Sequence, residues 1–273
     1  MVRRRELGAI LRTLRTQKGW TAEQVAERLL VSPSKISRLE KGQRGANARD
    51  IRDLCDLYEV NDEQRQHLME LASEGKQRAS QPGSDLPYSR YAQLEAEATS
   101  ISDYGLGIVP GLLQTAEYAR EVVQAAVPRW PPKIVKQRVE GRLARQQLLF
   151  SDHPPRFDAV MDESVLHRVV GSAGIMQAQL HRLLELSERP SITLQVVPYK
   201  AGVLPSENNK FIILRFARPA VSDVVFIEGL TRDYYVEDRD EVEVYNTTFR
   251  TLLDLAASPE ATRAIIASSI SRF

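Results

Sequence analysis

The chain has almost no cysteine. Cys55 stands alone in 273 residues, which excludes an internal disulfide framework and fits a reducing, cytosolic compartment. Long apolar runs are missing too. None approaches the ~18–20 residues that a membrane-spanning helix needs, so no membrane is expected among its partners. The N-terminal stretch MVRRRELGAILRTLR is basic, but Arg12 and Arg15 interrupt its apolar residues, and it reads as no secretory signal. Histidine is scarce, and His67, His153, His167 and His181 have no metal-ligand spacing. There is no P-loop and no Gly-x-Ser-x-Gly elbow, and Gly105, Gly107 and Gly111 do not form a dinucleotide fingerprint. Asp158, Asp162 and Glu163 are neighbouring carboxylates that read as caps or surface groups. These absences point away from an enzyme and away from any cofactor or metal.

What is present is unevenly spread. Hydrophobic residues make up 42% of the chain, enough for a sizeable core, and the length suits one large domain or two ordinary ones. Residues 1–45 carry eleven basic and four acidic side chains, a surplus of seven, while the remainder carries 26 basic and 32 acidic. Such an asymmetry suits a nucleic-acid-binding end, or a solvated basic helix face.

Periodicity predicts five short helices at the N-terminus. Leu7, Ile10, Leu11 and Leu14 share one face from about Arg3 to Lys18, and Gly19 stops that helix. Thr21 and Gln24 match a capping box, after which Val25, Ala26 and Leu29 point inward. Ser32-Pro33 opens a helix to Lys41 with a capping hydroxyl and a proline at its first position, burying Ile36 and Leu39 before Gly42. Ile51, Leu54, Cys55 and Tyr58 mark a fourth helix, and Leu68 and Leu71 a fifth. Composition then turns to Ser, Gly, Pro and charge. The expected domains are 1–75, a linker over 76–87, and 88–273. The last reads as α+β: helices over Tyr91–Ser102, Thr115–Ala126, Lys133–Phe150, Met176–Ser187, Glu241–Ala257 and Pro259–Ser271, around a small antiparallel sheet built from Phe157–Met161, Ile192–Val197, Phe211–Phe216, Val221–Ile227 and Tyr234–Val236. The fold class expected is therefore mainly α with a smaller β part.

The segment TAEQVAERLLVSPSKISRLEKG, Thr21 to Gly42, has the spacing of a helix-turn-helix, whose second helix turns Ser34, Lys35, Ser37 and Arg38 outward. Those side chains suit base edges and phosphates in a DNA major groove. Over about residues 3–72 the chain resembles the Xre-type, lambda repressor-like DNA-binding domain, most specifically in Val31-Ser32-Pro33-Ser34 and Ile36 to Gly42. The resemblance implies that Ser34 and Arg38 read bases, that Lys35 reads a base or holds a phosphate, and that Thr21, Ser32, Ser37 and Arg44 touch phosphates. Ser32 also reads as a cap alone. Glu40 is expected in a structural ion pair. Arg3, Arg4 and Arg5 are expected to reach the DNA backbone from an N-terminal arm. Ala22 departs from the family, where many members carry Gln or Ser against a phosphate. The expected DNA is a double-stranded, pseudo-palindromic operator bound by a homodimer.

The second domain carries the words Val109-Pro110-Gly111-Leu112-Leu113-Gln114-Thr115, Arg142 with Arg145-Gln146, Met161-Asp162-Glu163, Val196-Val197-Pro198 and Phe226-Ile227-Glu228. Over about residues 88–270 these resemble the C-terminal domain of unknown function found in an actinobacterial group of antitoxin-like regulators. The resemblance implies a module that binds a small partner protein. Two other readings stay open: a small-molecule effector held in a pocket lined by Tyr234-Tyr235 and Phe211 to Phe216, and a plain dimerisation domain.

Overall fold

A computed structural model of the chain describes residues 2–79, 89–126, 130–206, 209–217, 221–229 and 232–273. They fall into two compact units, Met1–Glu97 with Phe216–Ser222, and Ala98–Arg215 with Asp223–Phe273.

The first unit is helical: α1 (Val2–Gln17), α2 (Ala22–Arg28), α3 (Pro33–Glu40), α4 (Ala48–Tyr58), α5 (Asp62–Ala79) and α6 (Ser89–Glu97). Its helix starts are chemical. The Thr21 hydroxyl accepts the Gln24 N–H at 3.2 Å, and the Gln24 side chain accepts the Thr21 N–H at 2.8 Å. Asn47 and Asp50 make the same reciprocal pair at the start of α4. The apolar stripes of α1 to α5 merge into one core, from Leu7 and Leu11 through Val25, Ile36, Leu39, Ile51 and Leu54 to Leu68 and Leu71. Cys55 and Tyr58 belong to it, and burial pushes both the thiol and the phenol above their ordinary pKa. Helix α5 continues to Ala79, into the stretch whose composition reads as a linker; residues 80–88 lie outside the described residues.

The second unit is α+β. Among the described residues its sheet has six strands: β1 (Ser100–Gly105), β2 (Arg156–Asp162), β3 (Ile192–Val197), β4 (Phe211–Arg215), β5 (Val224–Ile227) and β6 (Tyr234–Val236), in the order β3-β2-β1-β4-β5-β6. The expected antiparallel sheet is only half of it. β3, β2 and β1 run parallel, while β4, β5 and β6 continue antiparallel from β1. Parallel neighbours need long crossovers, supplied by α7 (Ala116–Ala126) and α8 (Pro132–Gln146) between β1 and β2, and by α9 (Ala173–Leu186) between β2 and β3. The expected helix over Tyr91–Ser102 stops at Glu97, because Ser100 onward is β1. That strand buries polar side chains, and the Ser102 hydroxyl accepts the Arg215 guanidinium at 2.7 Å.

Helices α10 (Arg239–Leu255) and α11 (Pro259–Ile270) close the chain. Val242, Phe249 and Leu252 of α10 pack with Tyr104, Val160, Ile213 and Val225 of the sheet. Phe211 sits among Tyr104, Tyr245 and Phe249, with ring centroids 5.1–6.4 Å away, and Tyr235 lies against Phe226 at 5.3 Å. Of the aromatics expected to line a ligand pocket, Phe211 and Tyr235 are thus packed on other rings, whereas Tyr234 is 50% exposed and the Arg5 guanidinium lies over the Phe216 ring.

The loop from Val109 to Thr115 has little regular hydrogen bonding of its own, yet it is mostly buried. Three glutamines hold it. Gln114 donates to the Val109 carbonyl at 2.6 Å and accepts from Arg142 at 2.7 Å. Gln146 donates to the carbonyls of Gly111 and Gln114. Gln179 accepts the Thr115 N–H at 2.7 Å and donates to the Leu113 carbonyl at 2.8 Å. Buried backbone groups need partners, and here side chains 32 to 66 residues distant supply several of them.

Candidate nucleic-acid interface

Helix α3 is held rigidly from behind. Glu40, near its end, accepts two hydrogen bonds from Arg15 of α1, at 2.6 and 3.0 Å, and Arg15 also donates to the Trp20 carbonyl at 2.6 Å. The hydrogen bond to Glu40, opposed by burial, keeps the Arg15 pKa above its ordinary value. This is the structural ion pair expected of Glu40. Trp20 packs beside Tyr58 with centroids 6.3 Å apart, and the Arg28 guanidinium covers the Trp20 face at 4.4 Å.

Two glycines let α1 and α3 approach. A Cβ on Gly8 would lie 2.6 Å from the Leu39 carbonyl oxygen, so the two backbones meet there. Gly42 ends α3 at a φ of +65°, and a Cβ there would come 2.9 Å from the Arg5 Cα. Leu30, in the turn between α2 and α3, holds a left-handed φ of 53° with its side chain 94% exposed. Such a backbone normally favours glycine.

The outer face of α3 carries Ser34 and Arg38. The Arg38 side chain leans back one turn, its Nε donating to the Ser34 carbonyl at 3.1 Å and its Nη2 to the Ser34 hydroxyl at 3.0 Å. The Ser34 hydroxyl lies 3.2 Å from that of Ser32, whose oxygen accepts the Lys35 N–H at 3.3 Å. The three side chains form one chain of polar groups over the N-terminal end of the helix, the end that meets base edges in this motif. Thr21 and Arg44 are exposed near the two ends of the motif, and Ser37 is half-buried on α3.

Two expectations change. Lys35 is engaged within the protein: its ammonium pairs with Asp50 at 2.5 Å, and both groups are largely shielded from solvent. Asp50 already serves the α4 capping box, so Lys35 ties α3 to α4. The arginines expected in an N-terminal arm lie instead within α1, which starts at Val2. Arg5 is buried; its guanidinium donates to the Ser222 carbonyl at 3.0 Å and lies 5.8 Å from the Phe216 ring centroid. Arg4 is half-buried with its guanidinium beside Gly45. Arg3 falls within α1, and its side chain lies outside the described residues. Spacing alone carried no signal for the Lys35–Asp50 pair or for the close approach at Gly8, both of which depend on how separate helices cross.

Residues 88–268, about two thirds of the chain, match a family described as a domain of unknown function (DUF5753). The chain belongs to the DUF5753 family. In this DUF5753 protein, residues 6–68 also match a helix-turn-helix domain, which coincides with the capped helices and polar face just described and supports DNA binding and transcription regulation. No curated protein and no solved structure matches the chain. No helix among the described residues is long and apolar enough to cross a membrane.

Proposed function

We propose that this DUF5753 protein is a cytosolic, sequence-specific transcription regulator of the Xre type, without catalytic activity, that binds a pseudo-palindromic operator as a homodimer. The observation that carries the reading is the polar chain Ser32–Ser34–Arg38 on a helix fixed by Arg15 and Glu40. Ser34 and Arg38 read bases. Thr21, Ser32, Ser37 and Arg44 take phosphates, while Lys35 serves the α3–α4 contact. Arg3 and Arg4 reinforce the positive potential near the DNA backbone. The boundary between the two sequence domains falls in the stretch 76–87, although α6 clusters with the helices of the first unit. The second unit belongs to the antitoxin-like group, binds a small partner protein and provides the dimer contact; the family words along residues 109–228 support this.

The test begins with selection of a binding site from random DNA by the full-length protein. Arg38→Ala is expected to weaken binding to the selected site by about 1–3 kcal/mol and to relax the preference at one base pair of each half-site. Equal affinity of the two proteins for that site would remove Arg38 as a base reader.

A second reading, in which the second unit senses a small molecule, is favoured by a cleft at one end of its sheet.

A further inference from the structure

The three parallel strands all end at the same edge of the sheet. Beyond the ends of β1, β2 and β3 lies a cleft of about 690 Å³, and Lys210, just before β4, completes its wall. Crevices outside the carboxyl ends of parallel strands are where open α/β sheets take their ligands, and pockets for small molecules commonly measure roughly 300–1,000 Å³.

The cleft has distinct walls. Leu106, Pro198 and Leu204 give it an apolar side. Arg168 enters from the segment after β2, and its guanidinium lies across Gly107, where a Cβ would be 3.2 Å from Nε. No carboxylate among the described residues is within ion-pairing distance of Arg168, and the residue is exposed. The other cation, Lys210, is already paired with Glu228. Asp162 also faces the cleft, one carboxylate oxygen taken by the Ser164 N–H at 2.9 Å.

Tyr199 is set in place by a polar latch. Glu163 accepts the Tyr199 backbone N–H at 2.7 Å and lies 3.2 Å from His167 Nε2. Arg272 Nη1 lies 2.7 Å from His167 Nδ1 and 3.4 Å from its Nε2, against the same ring. The His167 ring stacks on Tyr199 with centroids 5.7 Å apart, yet Tyr199 stays 57% exposed. Val169 and Val203, exposed at 63% and 82%, are sequence neighbours of the lining residues Arg168 and Gly202.

We infer that this cleft is a binding site for a small organic anion with an apolar or aromatic body. Its acidic group pairs with Arg168, its body lies against Tyr199 and the Leu106–Pro198–Leu204 wall, and a hydrogen-bond donor on it meets Asp162. The coupling of this site to DNA affinity rests on the sensor reading above; the site itself does not.

The probe is anilinonaphthalene sulfonate, which carries a sulfonate, an N–H donor and an aromatic body, titrated into the full-length protein by fluorescence. Saturable binding of one dye per chain is expected. Arg168→Gln should weaken it about tenfold, Arg168→Lys should fall between the two, and Tyr199→Ala should weaken it about threefold. Both side chains are exposed, and unchanged thermal melting checks that the variants fold. Unsaturable binding, or an unchanged Kd in Arg168→Gln, overturns the site. Affinity for the selected DNA is then measured with the dye at saturation. If the dye occupies the cleft and DNA affinity does not move, the site stands and the sensor reading falls. If the dye fails to bind while DNA binding persists, the site falls and the DNA-binding reading stands.

Discussion

The helix starts of the first unit and the buried loop of the second satisfy their polar groups over very different distances. In the first, α2, α3 and α4 are started by their own neighbours: Thr21 with Gln24, Ser32 with Lys35, Asn47 with Asp50. In the second, a buried loop depends on Gln146 and Gln179, and β1 on Arg215, which is 113 residues from Ser102. Local caps fray singly and cost little when lost. A distant staple leaves two or more buried groups unpaired at once, and the penalty falls on the whole unit.

The sharpest way to break that contrast is to remove one member of each kind. Gln179→Leu strands the Thr115 N–H and the Leu113 carbonyl and is expected to destabilise the second unit by about 2–4 kcal/mol. Thr21→Ala is expected to cost the first unit only about 1 kcal/mol. The two tryptophans, Trp20 and Trp130, lie in different units, so urea titrations in Trp130→Phe and Trp20→Phe backgrounds follow each unit separately. Equal costs would erase the distinction. Glycines offer a second contrast. Gly8→Ala should destabilise the first unit by about 1–3 kcal/mol, since its new methyl meets the Leu39 carbonyl. Gly141→Ala, on the exposed side of α8 with open space around it, should stabilise the second unit by about 0.5–1 kcal/mol. The same urea titrations read both signs. Smallest is Leu30→Gly, which relieves a left-handed backbone and loses no buried surface; a gain of about 0.5–1 kcal/mol in the first unit is expected. A loss there would mean that the Leu30 side chain makes a stabilising contact.

The same difference of range explains what could be read in advance. The first unit was legible nearly residue by residue, because caps, stops and apolar spacing all sit within a few positions of one another; α4 begins and ends where its stripe of Ile51, Leu54, Cys55 and Tyr58 places it. The polar face of α3 was legible for the same reason. Lys35 was not, because its partner Asp50 lies on another helix. In the second unit β1 was missed: SISDYG lacks the β-branched alternation of a strand, and its buried Ser102 and Asp103 contradict the usual pattern until Arg215 is seen beside them. Without β1 only one of the two β–α–β crossovers was in view, and its strands, Phe157–Met161 and Ile192–Val197, were read as antiparallel although a helix joins them. The cleft was lost too, since it exists only where the ends of three strands and the start of a fourth come together.

Cys55 adds a consequence of a different kind. The chain's single thiol lies at 0% exposure in the first unit, with its ionisation disfavoured by burial. A thiol-reactive dye can therefore modify this protein only when that core opens. Its labelling rate is a clock for openings of the DNA-binding unit alone, read in the intact chain without engineering a single residue. Gly8→Ala should make that clock run faster.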